Sequence, residues 1–345
     1  MSTISFKSIT KRKIATAALV VAMTAILSFS LTYDSENSSA GSNATVGYLV
    51  YDLAPSGTAS VEGVAPSGVG LTSITIPATV EYESVTYNVT SIEYSAFEDC
   101  TALVSVTIPE GIETIGSSAF EGCTSLKSMV IPDTVTFLGS SVFRDCYSLE
   151  FVNISKGVLS IDNDTFRGCM DLETINVDAD NLNFKSVGGV LYSKDGTKLI
   201  TYPPGKAGSF VVPEGVTSIE RYSFYSCPFL TSVTISEGVT SVRGYAFSNS
   251  FSLTSVTIPD SVTSIDPSAF YVCMDLRSIE VGGDNPNYKS VDGVLYSKNG
   301  EHLIMCPAGK AGDIVIPEGV KFIDESAFDG CMFITSITIP SGVTS

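Results

Sequence analysis

Eight cysteines and a single histidine bound the chemistry open to this chain. Seven of the cysteines, Cys100, Cys123, Cys146, Cys169, Cys227, Cys273 and Cys331, each stand three residues after a phenylalanine. Three of the six steps between them are 23 residues, the rest are longer, and no C-x-x-C pair occurs, which is not the spacing of a zinc site. Eight cysteines in one chain can form a disulfide framework, but seven at one position of successive units form a column. Stacked units put like positions roughly 4.8 Å apart, with Cβ vectors side by side, a geometry that disfavours bridging. The column therefore reads as small apolar side chains of a core, with scattered disulfides as the alternative. Cys306 stands outside it, where the other copy of its segment has Tyr202, and is the thiol left for reactivity.

Acid–base chemistry has little to draw on. His302 is the only histidine, at a place where the earlier copy has Lys198, so a triad has one candidate and a solvated side chain is the simpler reading. The carboxylate pairs Asp162 and Asp164, and Asp178 and Asp180, could ligate calcium or work as an acid and a base. Turn-forming Asp accounts for them without a site. No catalytic residue, metal or cofactor is expected.

The elements that must position these residues follow from the repeat. Phe97, Phe120, Phe143, Phe166, Phe224, Phe247, Phe270 and Phe328 are spaced mostly by 23 residues, with two steps of 58, and Ser250 alone replaces the cysteine. Ahead of each Phe runs a phrase such as Leu253-Thr-Ser-Val-Thr-Ile-Pro259, then a second such as Val262-Thr-Ser-Ile265. Apolar alternation with β-branched residues is a strand signal, and the proline stops the strand. A 23-residue unit cannot bury its own Leu, Val, Ile and Phe, whereas stacked units bury them as continuous columns. The expected fold is a repeat solenoid of the leucine-rich-repeat kind, a β-rich right-handed coil of about 23-residue units with short helical or 3₁₀ turns around Ala-Phe.

A longer period is superimposed. Asn181–Gly196 recurs as Asn285–Gly300 at an offset of 104 residues. Asp195-Gly196 and Asn299-Gly300 between apolar strand residues are hairpin turns, so each insertion, at about 178–213 and 282–317, should project from the stack as a β-hairpin. Residues 47–90 break the simple period and read as a β-rich N-terminal cap; the solenoid runs over 71–345. The far end shows no cap in sequence, and an open last strand, Ile334–Pro340, would be an edge for self-association.

The repeat L-x-x-V-x-I-P, then I, then A-F-x-x-C resembles the BspA-type leucine-rich repeats of surface proteins, over about residues 71–345. The resemblance implies the solenoid fold and, for function, adhesion to host matrix proteins or coaggregation of cells. It supplies no site residues, because the family has no shared catalytic motif.

Candidate contact residues come from departures within the repeat. The outward positions of the first phrase are Ser and Thr in most units, as at Ser105 and Thr107 or Ser255 and Thr257, where cross-strand hydroxyl pairing suffices. Three consecutive units differ: Lys127, Ser128 and Val130; Glu150, Phe151 and Asn153; Glu173, Thr174 and Asn176. Phe151 beside Val130, rimmed by charge, would make a small apolar contact patch. Tyr192, Lys194, Tyr296 and Lys298, at the hairpin tips, are the rival set. Asn153-Ile-Ser155 fits the N-glycosylation pattern, and a glycan there would occlude that patch.

The N-terminus carries Lys7, Lys11, Arg12 and Lys13 and then an apolar run from Ile14 to Leu31. This reads as a signal peptide or N-terminal membrane anchor over 1–31, with a Ser- and Asn-rich flexible linker over 32–46. Either way the domain is extracellular or at the cell surface, touching membrane only through that segment if it is uncleaved. A formal charge of −18, from 37 acidic and 19 basic residues, repels nucleic acid. The expected function is a non-enzymatic extracytoplasmic module for adhesion or for binding a protein or glycan on another cell or host surface. The alternatives are a structural spacer that self-associates through its C-terminal edge and, less well supported, an exported hydrolase.

Overall fold

The computed structural model describes residues 2–5 and 42–344; the basic start, the apolar run and most of the linker lie outside them. From Leu71 onward the chain winds as a β-solenoid whose coils give strands to two parallel ladders, although the coil carrying Phe166 gives none to the second. The first ladder holds the L-x-x-V-x-I phrases: Leu230–Thr234, Ser255–Ile258 and Ser278–Val281 pair in parallel. Val233, Val256 and Ile279 align there, all buried. The second holds the short phrases, Ser218–Ile219, Ser241–Val242 and Ser264–Ile265, again in parallel.

The third wall, around each Phe, is where helical or 3₁₀ turns are expected, and it is built differently. Among the described residues the single 3₁₀ helix is Pro66–Gly68, in the cap. Around Phe120, the N–H groups of Ala119, Glu121 and Cys123 bond back to Gly116, Ser118 and Phe120. Those of Ser118, Phe120 and Gly122 donate instead to Ser140, Val142 and Arg144 of the next coil. Ser118 and Gly122, two residues on either side of Phe120, sit at φ 55° and 71°, and Ser141 and Asp145 around Phe143 at 57° and 58°. Residues in the left-handed region at every fourth position cannot continue a right-handed helix, and they turn alternate peptides toward the neighbouring coil. The wall is thus a third inter-coil ladder made of turns.

The Phe side chains stack inside it. Ring centroids are 5.1 Å apart for Phe97 and Phe120, 5.9 Å for Phe120 and Phe143, and 5.9 Å for Phe143 and Phe166. A second run joins Phe224, Phe247 and Phe270 at 4.8 and 5.1 Å. Phe328 is only half-buried. The column cysteines are free thiols, buried at Cys123, Cys146, Cys169, Cys227 and Cys273 and half-buried at Cys100 and Cys331 near the two ends. Four of them donate to the Phe carbonyl of the preceding coil: Cys123 to Phe97 (3.1 Å), Cys146 to Phe120 (3.1 Å), Cys169 to Phe143 (3.0 Å) and Cys273 to Phe247 (2.9 Å). Ser250 makes the same bond to Phe224 at 2.6 Å. What the position requires is a small donor, which is why serine replaces cysteine there.

The insertions correct a second expectation. Each forms three antiparallel strands, Phe184–Val187, Val190–Ser193 and Lys198–Thr201, then Tyr288–Val291, Val294–Ser297 and His302–Met305. They do not project. The third strand pairs in parallel with the second ladder, Lys198–Thr201 on Ser218–Ile219 and His302–Met305 on Phe322–Ile323, so the insertion is absorbed into the wall. Its Val-Leu-Tyr segment has apolar residues on both faces and is buried accordingly. The core falls into three clusters, divided near the insertions.

Both ends differ from expectation as well. Ser42–Val46, placed in the flexible linker, is a strand antiparallel to Leu49–Leu53, with Ala44 buried in the cap. A short apolar alternation beside a Gly47 turn at φ 65° suffices for a hairpin. At the far end Ser2–Ser5 pairs antiparallel with Ile334–Ile339, Ser2 against Ile339 and Ser5 against Ser336, so the edge that reads as uncapped carries a strand. An unpaired edge accepts any extended segment that can reach it.

Candidate functional site

The first ladder brings together one of the two sets of candidate contact residues. Ser128–Val130, Phe151–Ile154 and Thr174–Val177 pair in parallel. Their alternation sends Met129, Val152 and Ile175 inward, all buried, and the flanking residues outward. Phe151 is 40% exposed and Val130 58% exposed. The register sets Phe151 between Ser128 and Thr174, and Val130 opposite Asn153. The two apolar side chains are therefore diagonal neighbours on one face, a separation that an aromatic ring still bridges.

Polar pairs run along both sides of them. Lys127 Nζ donates to Glu150 Oε1 at 2.9 Å, and Asn176 Nδ2 donates to Asn153 Oδ1 at 2.8 Å. Both bonds cross one inter-strand gap between identical repeat positions. Glu173 is exposed at the next coil. The ion pair is solvated on both sides, so it orders the surface more than it stabilises the fold.

The rival set is split by the structure. Tyr192 and Tyr296, expected at hairpin tips, are 3% and 2% exposed, and burial pushes both phenols up to about 12. They lie in the middle strand of each insertion, whose faces are both covered. Lys194 and Lys298 do lie at the turns, exposed, but their ammonium groups donate to the carbonyls of Ala179 (2.9 Å) and Gly283 (2.7 Å). No aromatic–basic tip is formed.

Several of the groups considered for catalysis are engaged in hydrogen bonds. Asp164 accepts from the Ser141 N–H (3.2 Å) and hydroxyl (2.9 Å), and Asp178 accepts from the Asp180 N–H at 2.8 Å. His302 is not a free solvated side chain: its Nδ1 pairs with Asp324 at 2.8 Å and its ring stacks on Phe322 at 4.7 Å. Among the described residues no three His, Cys, Asp or Glu side chains cluster as a metal site would need. Cys306, read as the reactive thiol, is 2% exposed, and hydrogen bonding with Cys331 together with burial pushes its thiol up.

One constellation escapes the sequence reading. Arg167 Nη2 donates to Tyr225 Oη at 3.1 Å, bridging residues 58 apart on either side of the first insertion, and Asn249 donates to the same oxygen at 2.7 Å. The Arg167 guanidinium lies 4.6 Å from the Tyr225 ring and 5.1 Å from Tyr222; Arg221 lies over Tyr222 and Tyr245 at 4.7 and 5.3 Å. These are cation–π distances. The signal was present in the repeat, where Tyr222 and Tyr245 both precede the column Phe by two residues. Its partner could not be found from spacing, because the insertion separates Arg167 from Tyr225 in the chain and not in the stack.

A family described as BspA type leucine rich repeat region matches residues 65–188, 205–293 and 308–345, in 6 copies. No curated protein matches the sequence. Among solved structures, a leucine-rich repeat protein from Eubacterium ventriosum is similar at 21% identity, covering 86% of this chain and 84% of that one, with a TM-score of 0.57. The pneumococcal vaccine antigen PcpA is similar at 18% identity, covering 87% of this chain and 99% of its own, with a TM-score of 0.52. At these identities the likeness is one of fold.

Proposed function

The chain belongs to the BspA type leucine rich repeat family, and from that premise we propose that it is an exported, non-enzymatic interaction module. It binds a protein or glycan on another cell or host surface through the strand face centred on Phe151. The observation that carries this reading is the break in the Ser/Thr face: Phe151 and Val130 stand exposed together, bordered by the Lys127–Glu150 and Asn153–Asn176 pairs. An aromatic side chain on a rigid strand loses little conformational freedom on binding, and apolar residues ringed by polar ones are the usual anatomy of a contact hot spot. Lys7, Lys11, Arg12 and Lys13 ahead of the apolar run Ile14 to Leu31 support export. The engagement of Asp164, Asp178 and His302 in turns and pairs supports a binding role over hydrolysis.

The test is binding of the purified protein to immobilised extracellular-matrix proteins and to a glycan array, with Phe151→Ala beside Thr257→Ala. The expected result is at least one bound target, weakened about tenfold or more by Phe151→Ala and unchanged by Thr257→Ala. A target bound equally by both variants would remove Phe151 from the site, and no target at all would leave the rod as a structural spacer.

A further inference from the structure

The two insertions align residue for residue, and at one position in the core they differ in a way that changes the chemistry. Tyr202 closes the first against the stack, its ring 5.1 Å from Phe224 and 4.8 Å from Phe210. In the second insertion the same place is Cys306, and the flanking Pro204 and Phe210 become Ala308 and Ile314. The residue at this place adjoins the column cysteine of the following coil in both copies, Tyr202 beside Cys227 and Cys306 beside Cys331. The Cys331 sulfur lies 3.5 Å from the Cys306 carbonyl oxygen and 3.6 Å from that of Pro307.

This differs from four of the column cysteines. Cys123, Cys146, Cys169 and Cys273 each hand their S–H to a phenylalanine carbonyl at 2.9 to 3.1 Å, whereas Cys331, like its counterpart Cys227 after the first insertion, makes no sulfur contact that short. Cys331 is also half-buried where Cys306 is buried. One sulfur is accessible and the other shielded, the arrangement in which an attacking and a resolving thiol divide the work. Hydrogen bonding with Cys306 lowers the Cys331 thiol and raises its partner, which adds to that asymmetry.

We propose that Cys306 and Cys331 are a redox-active dithiol, closed to a disulfide by exchange with a small-molecule disulfide such as oxidised glutathione. The Cys331 thiolate attacks one sulfur of the oxidant, forms a mixed disulfide and expels the first thiol. The Cys306 sulfur then attacks Cys331 Sγ, forming the internal bond and expelling the second. The oxidant's S–S bond is reduced to two thiols, which carry away the two protons, and the protein pair is oxidised. The bridge closes a span of 25 residues and fastens the last coils, where Phe328 is half-buried and no aromatic ring takes the place of Tyr202. The other six cysteines remain thiols.

The experiment is incubation of the full chain with oxidised glutathione, alkylation of remaining thiols, and peptide mapping without reduction. The expected result is one linked peptide joining Cys306 to Cys331, all other cysteines alkylated, and a higher Tm for the oxidised protein that reductant reverses. Cys331→Ser should give no linked peptide and no Tm shift. Cys306→Tyr, which restores the residue of the first insertion and guards against a folding defect, should leave Cys331 as a stable glutathione adduct. Three results in the wild type would each overturn the proposal: a persistent glutathione adduct on Cys331, a bridge between column cysteines, or no reaction at all.

Discussion

The first insertion and the second share a scaffold and differ in what locks it. Asn181 and Asn285 are fully buried and do identical work. Each amide nitrogen donates to two carbonyls of the preceding coil, Ser155 and Val158 or Pro259 and Val262, at 2.9 to 3.0 Å. Each amide oxygen accepts from two N–H groups ahead, of Asn183 and Phe184 or of Asn287 and Tyr288, at 2.8 to 2.9 Å. The lock at the other end is not shared. Tyr202 packs as an aromatic in one copy, and Cys306 with Cys331 takes its place in the other. The difference teaches that backbone-satisfying residues in a solenoid are fixed by the ladder they serve, whereas residues that fill core space can be exchanged for a different device.

That comparison can be broken in three ways, taken from the largest effect down. Tyr202→Ala removes a ring packed against Phe224 and Phe210 and should cost about 3–5 kcal/mol, against about 1 kcal/mol for Cys306→Ala under reducing conditions. Hydrogen-exchange protection of the adjoining coils reads each insertion separately, as a long repeat requires. Equal losses would mean that the ring is not the lock.

Asn181→Ala and Asn285→Ala should each cost about 2–3 kcal/mol by stranding buried carbonyls and N–H groups. The two should be alike in the same measurement. A loss confined to one copy would show that the asparagines serve different ends.

The smallest effect is at the hairpin turns. The Ser193 hydroxyl and the N–H and hydroxyl of Thr197 hold the Asp195 carboxyl down at about 2. Folding depresses this group, so its contribution is complete above the ordinary value of 3.8 and is lost as pH falls through about 2. Asn299 occupies the matching position with the same turn bonds, from Ser297 and Glu301, and has no charge to lose. Amide chemical shifts at Thr197 should move with acid over that window in the wild type and stay still in Asp195→Asn. Movement that persists in the variant would place the titration elsewhere.

The sequence by itself determined the solenoid, because apolar and small residues recurring at 23-residue spacing have no other way to leave water. It also determined which residues form the core columns, the two insertions and their Asp-Gly and Asn-Gly turns, and the outward Phe151 position. Tertiary structure decided the rest. The turns around Phe120 and Phe143 became an inter-coil ladder because the alternate N–H groups find partners in the next coil, which local propensity does not register. Tyr192 and Tyr296 moved from tip to core because the third insertion strand joins the second ladder, and pairing partners lie far apart in sequence. Arg167 met Tyr225, and Cys306 met Cys331, for the same reason. Periodicity along the chain reports which face a residue occupies within its own coil; which side chain of another coil it touches depends on how the insertions are threaded between coils, and that is a property of the packed stack alone.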